Sequence, residues 1–73
     1  MEIKERIQRL MSEGLSKQEI YNILFEELYN SYREYINSLY AEKRSISKIE
    51  DIKAEITSDI EGKINEVMEE LGL

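Results

Sequence analysis

The 73-residue sequence contains no cysteine, no histidine, no proline and no tryptophan. Without cysteine the chain can form neither a disulfide framework nor a thiolate metal site. Without histidine it lacks the commonest transition-metal ligand and the commonest general base. The absence of proline and the small number of glycines, three, favour helix along the whole chain. A domain this small then depends on regular helix packing or on self-association for its stability.

Long apolar runs are also missing. No stretch approaches the roughly 20 apolar residues that cross a bilayer, and the charged segment 1–6 has no apolar run behind it, unlike a secretory signal. We therefore expect a cytoplasmic protein that does not associate with membranes. The richness in lysine, glutamate and isoleucine is also seen in proteins from thermophiles and AT-rich genomes.

Basic residues are fewer than acidic ones, 10 against 16, which gives a net charge of −6. This balance disfavours nonspecific binding to a phosphate backbone and suits either solubility or contact with a basic protein surface. Serine and tyrosine have no histidine to activate them, and there is no glycine-rich phosphate loop. Glu26 and Glu27 are adjacent and would point about 100° apart on a helix. We expect no enzymatic activity, no catalytic residue, no metal and no cofactor.

The first 20 residues predict a short helix followed by a well-defined turn. Four apolar residues at helical spacing predict a helix over about residues 2–12: Ile3, Ile7, Leu10 and Met11. Gly14 is placed to cap it in the left-handed conformation. Ser16 and Glu19 form a capping box for the next helix, and Leu15 and Ile20 have the spacing of a hydrophobic staple.

Two long helices are predicted to follow, over about residues 17–43 and 48–70. The first has all five tyrosines, and its first half is apolar on more than one side, so at least two neighbours should cover it. The second has a narrow apolar stripe made up of Ile49, Ile52, Ile56, Ile60, Ile64, Val67 and Leu71. Ser47 with Glu50 offers a capping box, and Ser45 is the alternative cap. The stripe favours one helix through residues 57–59, where a break is the alternative, and Gly72 ends it.

The sequence therefore predicts an all-α fold with one domain over residues 1–73. A short N-terminal helix precedes a long antiparallel helical hairpin. The short helix spans about 16 Å and can cover only part of a hairpin more than twice as long. Because a monomer would leave contiguous apolar surface exposed, we expect the chain to dimerise into a helical bundle.

The favoured function is a protein–protein interaction module, either a homodimeric adaptor or an accessory subunit of a larger complex. Heptad spacing along the second helix and the isoleucine stripe of the third predict its interface. The residues are Tyr21, Phe25, Leu28, Tyr32, Tyr35, Leu39, Ile52, Ile56, Ile60 and Ile64. An acidic toxin–antitoxin or inhibitor component that meets a basic target is a further possibility.

Residues 14–24 resemble the opening of DNA-binding helix-turn-helix units. In those units a turn and a recognition helix follow about eight residues later, whereas here the helical pattern continues through residues 25–28. The resemblance implies an alternative function, a dimeric DNA-binding transcriptional regulator. Its candidate nucleic-acid contacts are Lys4, Arg6, Arg9, Lys43, Arg44 and Lys48.

Overall fold

The computed structural model describes residues 2–73 and contains four α-helices joined by short connections. Their bounds are α1, Ile3–Ser12; α2, Lys17–Ser31; α3, Arg33–Ala41; and α4, Ile46–Glu70. The all-helical class predicted from the sequence is confirmed. Within residues 2–73, none of these helices combines the length and the apolar character that crossing a bilayer requires.

The connection between α1 and α2 has the predicted caps. Gly14 takes a φ of 84°, and its N–H donates to the Met11 carbonyl at 3.0 Å, while the Leu15 N–H donates to the Leu10 carbonyl at 3.3 Å. These two bonds form a Schellman motif, which requires a left-handed residue at Gly14. The capping box of the next helix is complete: the Glu19 N–H donates to Ser16 Oγ, and the Ser16 N–H donates to Glu19 Oε1, both at 3.2 Å.

The long helix predicted over residues 17–43 is interrupted at Tyr32, which separates α2 from α3. The hydroxyl of Ser31 donates to the Leu28 carbonyl at 2.6 Å, and this carbonyl is the acceptor that Tyr32 would use in a regular α-helix. The Tyr32 N–H instead donates to the Tyr29 carbonyl at 3.0 Å. At this one residue a hydrogen bond between residues three apart replaces the α-helical bond between residues four apart, while the backbone stays in the right-handed region.

The connection between α3 and α4 ends at a different N-terminal cap from the capping box predicted at Ser47. Lys43 takes a left-handed φ of 57°, and the Arg44 N–H donates to the Leu39 carbonyl at 3.4 Å. Ser45, the alternative cap, is the observed one: its Oγ accepts from the Lys48 N–H at 3.4 Å. The capping box predicted at Ser47 is wrong because the helix has already begun at Ile46. Helix α4 then continues without a break to Glu70, as its apolar stripe predicted.

The main core lies where α1, α2 and α4 meet. Its buried residues are Ile7, Leu10, Ile20, Leu24, Ile60, Ile64 and Met68. Beyond the end of α1, burial continues between α3 and α4 alone, and its buried residues there are Ile36, Leu39 and Ile49. The molecule therefore has a three-helix end and a two-helix end.

This arrangement makes the molecule elongated, with extents of 44, 18 and 17 Å. Its radius of gyration is 14.5 Å, against about 11 Å expected for a compact chain of this length. Its accessible surface is 5183 Å², against roughly 4,700 Å² for a compact monomer of this mass. Both excesses agree with the expectation that the short first helix covers only part of the longer ones.

Candidate interaction surface

A row of aromatic rings runs along one side of α2. Tyr21, Phe25 and Tyr29 follow one another at four-residue intervals, so their side chains share one face of the helix. The ring centroids of Tyr21 and Phe25 are 6.2 Å apart, and those of Phe25 and Tyr29 are 6.0 Å apart. The interplanar angles of 22° and 13° describe stacked pairs. All three rings pack against the core on one side and remain partly exposed on the other.

Helix α4 supplies the neighbouring side chains of this surface. Burial raises the pKa of Tyr21, and the nearby negative charge of Glu61 raises it further. The pKa of Lys53 is raised by the Glu50 carboxylate, whose Oε1 lies 3.6 Å from Nζ, and also by the negative charge that Tyr40 and Tyr29 carry when their phenols ionise. We call the surface formed by Tyr21, Phe25, Tyr29, Tyr40, Lys53 and Glu61 the aromatic face.

An open groove of about 420 Å³ lies at the end of the aromatic face nearest to the start of α2. It is lined by Lys17, Gln18 and Tyr21 of α2 and by Asn65 of α4. The groove has one ring, two amides and one ammonium group, which suits hydrogen bonding to a partner's backbone or polar side chains. Its lining contains neither a nucleophile–base pair nor a group of carboxylates.

The predicted interface residues divide into three groups by burial. Leu39, Ile60 and Ile64 are buried, and Tyr35 is 46% exposed. The remaining six are partly buried, namely Tyr21, Phe25, Leu28, Tyr32, Ile52 and Ile56. The buried residues of α2 are Ile20 and Leu24, which the heptad pattern did not include.

Helix α1 accounts for this shift. At the three-helix end the most buried side of α2 points between α1 and α4, so Ile20 and Leu24 are buried. The tyrosine side is displaced toward solvent. At the two-helix end the buried side points at α4 alone, and Leu39 lies on it. The first half of the helix predicted over residues 17–43 is apolar on more than one side. This pattern in the sequence indicated that two neighbouring helices would cover it.

No family profile, characterised protein or solved structure matches this chain. Its function must therefore be inferred from the surface itself. Within residues 2–73, no group of three or more carboxylates is arranged to hold a metal ion.

The side of α2 opposite the aromatic row contacts α1 through an ion pair. Arg6 Nη2 lies 2.8 Å from Glu27 Oε1, and Arg6 Nε lies 3.4 Å from Glu27 Oε2. The hydrogen bond to Glu27 raises the pKa of Arg6, and the charge of that carboxylate raises it further. Arg6 is one of the predicted nucleic-acid contacts, and its guanidinium is directed at this carboxylate.

The other predicted nucleic-acid contacts fall into two separate groups. Lys4 and Arg9 are exposed on α1, which packs against the C-terminal half of α4. The second group, Lys43, Arg44 and Lys48, lies at the opposite end of α4. Arg44 Nε is itself 3.1 Å from Glu42 Oε2. The structure does not bring the six residues together on one surface, and α2 continues to Ser31 without the second turn of a helix-turn-helix unit.

Proposed function

We propose that this chain is a protein–protein interaction module and that the aromatic face is its contact surface. The observation that carries the proposal is the stacked row of Tyr21, Phe25 and Tyr29, whose residues are partly buried by the chain itself and keep a smaller part of their surface exposed to solvent. Tyrosine and phenylalanine are enriched in protein interfaces because each buries a large ring at little cost in conformational entropy.

The surrounding structure supports this use of the surface. Each ring of the row already has a neighbour at about 6 Å, so less side-chain freedom remains to be lost on binding. Lys53 and Glu61 provide opposite charges at its edge, where polar groups set orientation more than affinity. In this proposal α2 and α3 run antiparallel to α4 as a helical hairpin, and the partner completes a helical bundle.

Site-specific photocrosslinking tests the proposal directly. A photoreactive phenylalanine analogue replaces Tyr29 on the aromatic face, and in a control chain it replaces Glu66, which is exposed on α4. We expect the Tyr29 probe, irradiated in cells of the native source, to give discrete protein adducts that the Glu66 probe does not give. Helical content measured by circular dichroism should be the same in both chains.

The adducts also separate the kinds of partner. Adducts of twice the chain mass indicate self-association, and larger discrete adducts indicate another protein; either result supports an interaction module. The same weak, diffuse pattern from both positions would refute the aromatic face as the contact surface.

Duplex DNA binding is tested in parallel. Salt-sensitive binding to mixed-sequence DNA that decreases when Lys4 and Arg9 are neutralised would support the alternative instead.

A further inference from the structure

Three residues of α4 form a row with opposite charges at its two ends. Lys53, Thr57 and Glu61 are spaced by four residues, so they share one side of the helix. Thr57 lies midway between the two charges and is partly buried. The two ends of the row are separated by about 12 Å along the helix axis. Rotation by 180° about an axis through Thr57 and perpendicular to α4 therefore exchanges the positions of the positive and the negative group.

This arrangement matches the requirement of a two-fold symmetric interface. In such an interface the same surface is used by both copies, so each residue contacts the counterpart of its own contact partner. Lys53 also has Glu50 of its own helix nearby, with 3.6 Å between Nζ and Oε1, and its ammonium group has three N–H donors, so it can contact a second carboxylate. A surface with this cation and the Glu61 carboxylate at equal distances from its centre can pair with its own copy. A face with charges of one sign would instead repel its own copy.

We propose that the aromatic face binds a second copy of this chain, with the two α4 helices antiparallel and related by a two-fold axis beside Thr57. The inference rests on the proposed function, since it names the partner of the same surface. Lys53 then lies opposite Glu61 of the partner subunit, and Glu61 lies opposite the partner subunit's Lys53. The aromatic rows of the two copies meet beside these pairs.

The shape of the molecule and the exposure of its rings suit a second copy as the partner. A standard interface buries about 800 Å² on each partner, so the contact would extend from the aromatic face along most of one long side of the molecule, which measures 44 by 18 Å. Pairing two copies also covers partly exposed aromatic rings of both chains at once. The resulting assembly would contain the long helices of both copies packed side by side, as in other helical bundles.

Charge-reversal variants provide the test, with the dimer dissociation constant measured by sedimentation equilibrium. In Lys53→Glu each new carboxylate faces Glu61 of the partner subunit, and in Glu61→Lys two ammonium groups meet in the same way. We expect the dissociation constant of each single variant to rise about tenfold or more, because two pairs per dimer become repulsive. An equimolar mixture of the two variants should form a heterodimer as tight as the wild-type dimer.

The double variant Lys53→Glu/Glu61→Lys supplies an independent measurement, because it restores two opposite-charge pairs within one sequence. It should dimerise like the wild type. Lys48→Glu and Glu66→Lys are matched controls: both positions are exposed and lie about 180° around α4 from Thr57. These controls should leave the dissociation constant unchanged. Circular dichroism should show the same helicity for all five variants.

Three results would overturn the inference: a wild-type chain that stays monomeric at every concentration, single variants that dimerise as tightly as the wild type, or a mixture and double variant that fail to recover. Each is distinguishable from failure of the proposed function. Larger discrete adducts from the Tyr29 probe would keep the aromatic face as an interaction surface for another protein. Identical crosslinking from the Tyr29 and Glu66 probes would remove the proposed function itself.

Discussion

Arg6 of α1 and Glu27 of α2 form a two-pronged ion pair, with nitrogen–oxygen distances of 2.8 and 3.4 Å. Two parallel hydrogen bonds fix the guanidinium plane against the carboxylate, which a lysine could not do. The pair lies beside Ile7 and Leu10, the two residues through which α1 contributes to the core. It therefore adds a polar contact between α1 and α2 beside their apolar packing.

We predict that Arg6→Gln and Glu27→Gln each lower the urea midpoint of unfolding, and that their combined effect is smaller than the sum. The coupling should shrink in about 1 M salt, where the Debye length falls to about 3 Å. A double-mutant cycle measured at low and high salt checks this. Strictly additive effects at both salt concentrations would show that the pair contributes nothing beyond the two separate side chains.

Leu24→Ala should be severely destabilising. Leu24 is fully buried where α1, α2 and α4 meet, and truncation of such a residue costs about 2–5 kcal/mol. The whole free energy of unfolding for a chain of this length is only about 4–11 kcal/mol. Ile46→Ala is the matched control, since Ile46 is 70% exposed, and we expect it to change stability by less than about 0.5 kcal/mol. Chemical denaturation followed by circular dichroism measures both.

Lys43→Gly should stabilise the chain by about 0.5–1 kcal/mol. Lys43 adopts a φ of 57°, which is unfavourable for a residue with a Cβ atom by about 1–2 kcal/mol, and the greater chain entropy of glycine offsets part of the gain. Gly14, at the equivalent capping position after α1, has a φ of 84°. The reverse change, Gly14→Ala, should therefore destabilise. Opposite shifts of the two thermal midpoints are expected, and shifts of the same sign would contradict this account.

Tyr21 should make the stability depend on pH in alkaline solution. Its pKa is raised above the ordinary value of 10.0 by burial and by Glu61. The unfolded chain therefore loses this proton at a lower pH than the folded chain does. The corresponding stability is fully present below pH 10.0 and is lost as the pH rises through the higher folded pKa. Urea midpoints of the wild type should fall more steeply above pH 10 than those of Tyr21→Phe, and parallel curves would exclude this contribution.

Local chemistry made the helix ends predictable to different degrees. Ser16, Glu19 and Gly14 specify the first turn by themselves, because each satisfies a backbone group within a few residues. Both Ser45 and Ser47 are suitable N-terminal caps for α4, so which of them begins the helix depends on where the preceding connection ends. The interruption at Tyr32 follows a serine, Ser31, whose hydroxyl donates to the Leu28 carbonyl, but Ser38 makes the same bond inside α3, which continues. Serines at helix positions commonly make this bond without ending the helix, so the sequence gives no clear signal for it.

The buried face of α2 was harder to predict for a different reason. The heptad spacing of Tyr21, Phe25 and Leu28 describes a helix with one neighbour, and α2 has two. Tyrosine also satisfies both a core and a surface pattern, because its ring is apolar and its hydroxyl is polar. The position of α1 decides which side of α2 is buried. That position involves contacts between residues distant in sequence, such as the pair of Arg6 with Glu27.

The two-helix end has a consequence for local unfolding. Among residues 2–73, three side chains are buried there, Ile36, Leu39 and Ile49, whereas seven are buried in the main core. Segments with fewer buried contacts open at a lower free energy than the whole molecule does. We therefore expect the amide hydrogens of α3 and of the first turns of α4 to exchange with solvent through local opening, ahead of those around Leu24 and Ile64. Hydrogen-exchange protection is then expected to rise along the 44 Å length of the molecule toward the main core.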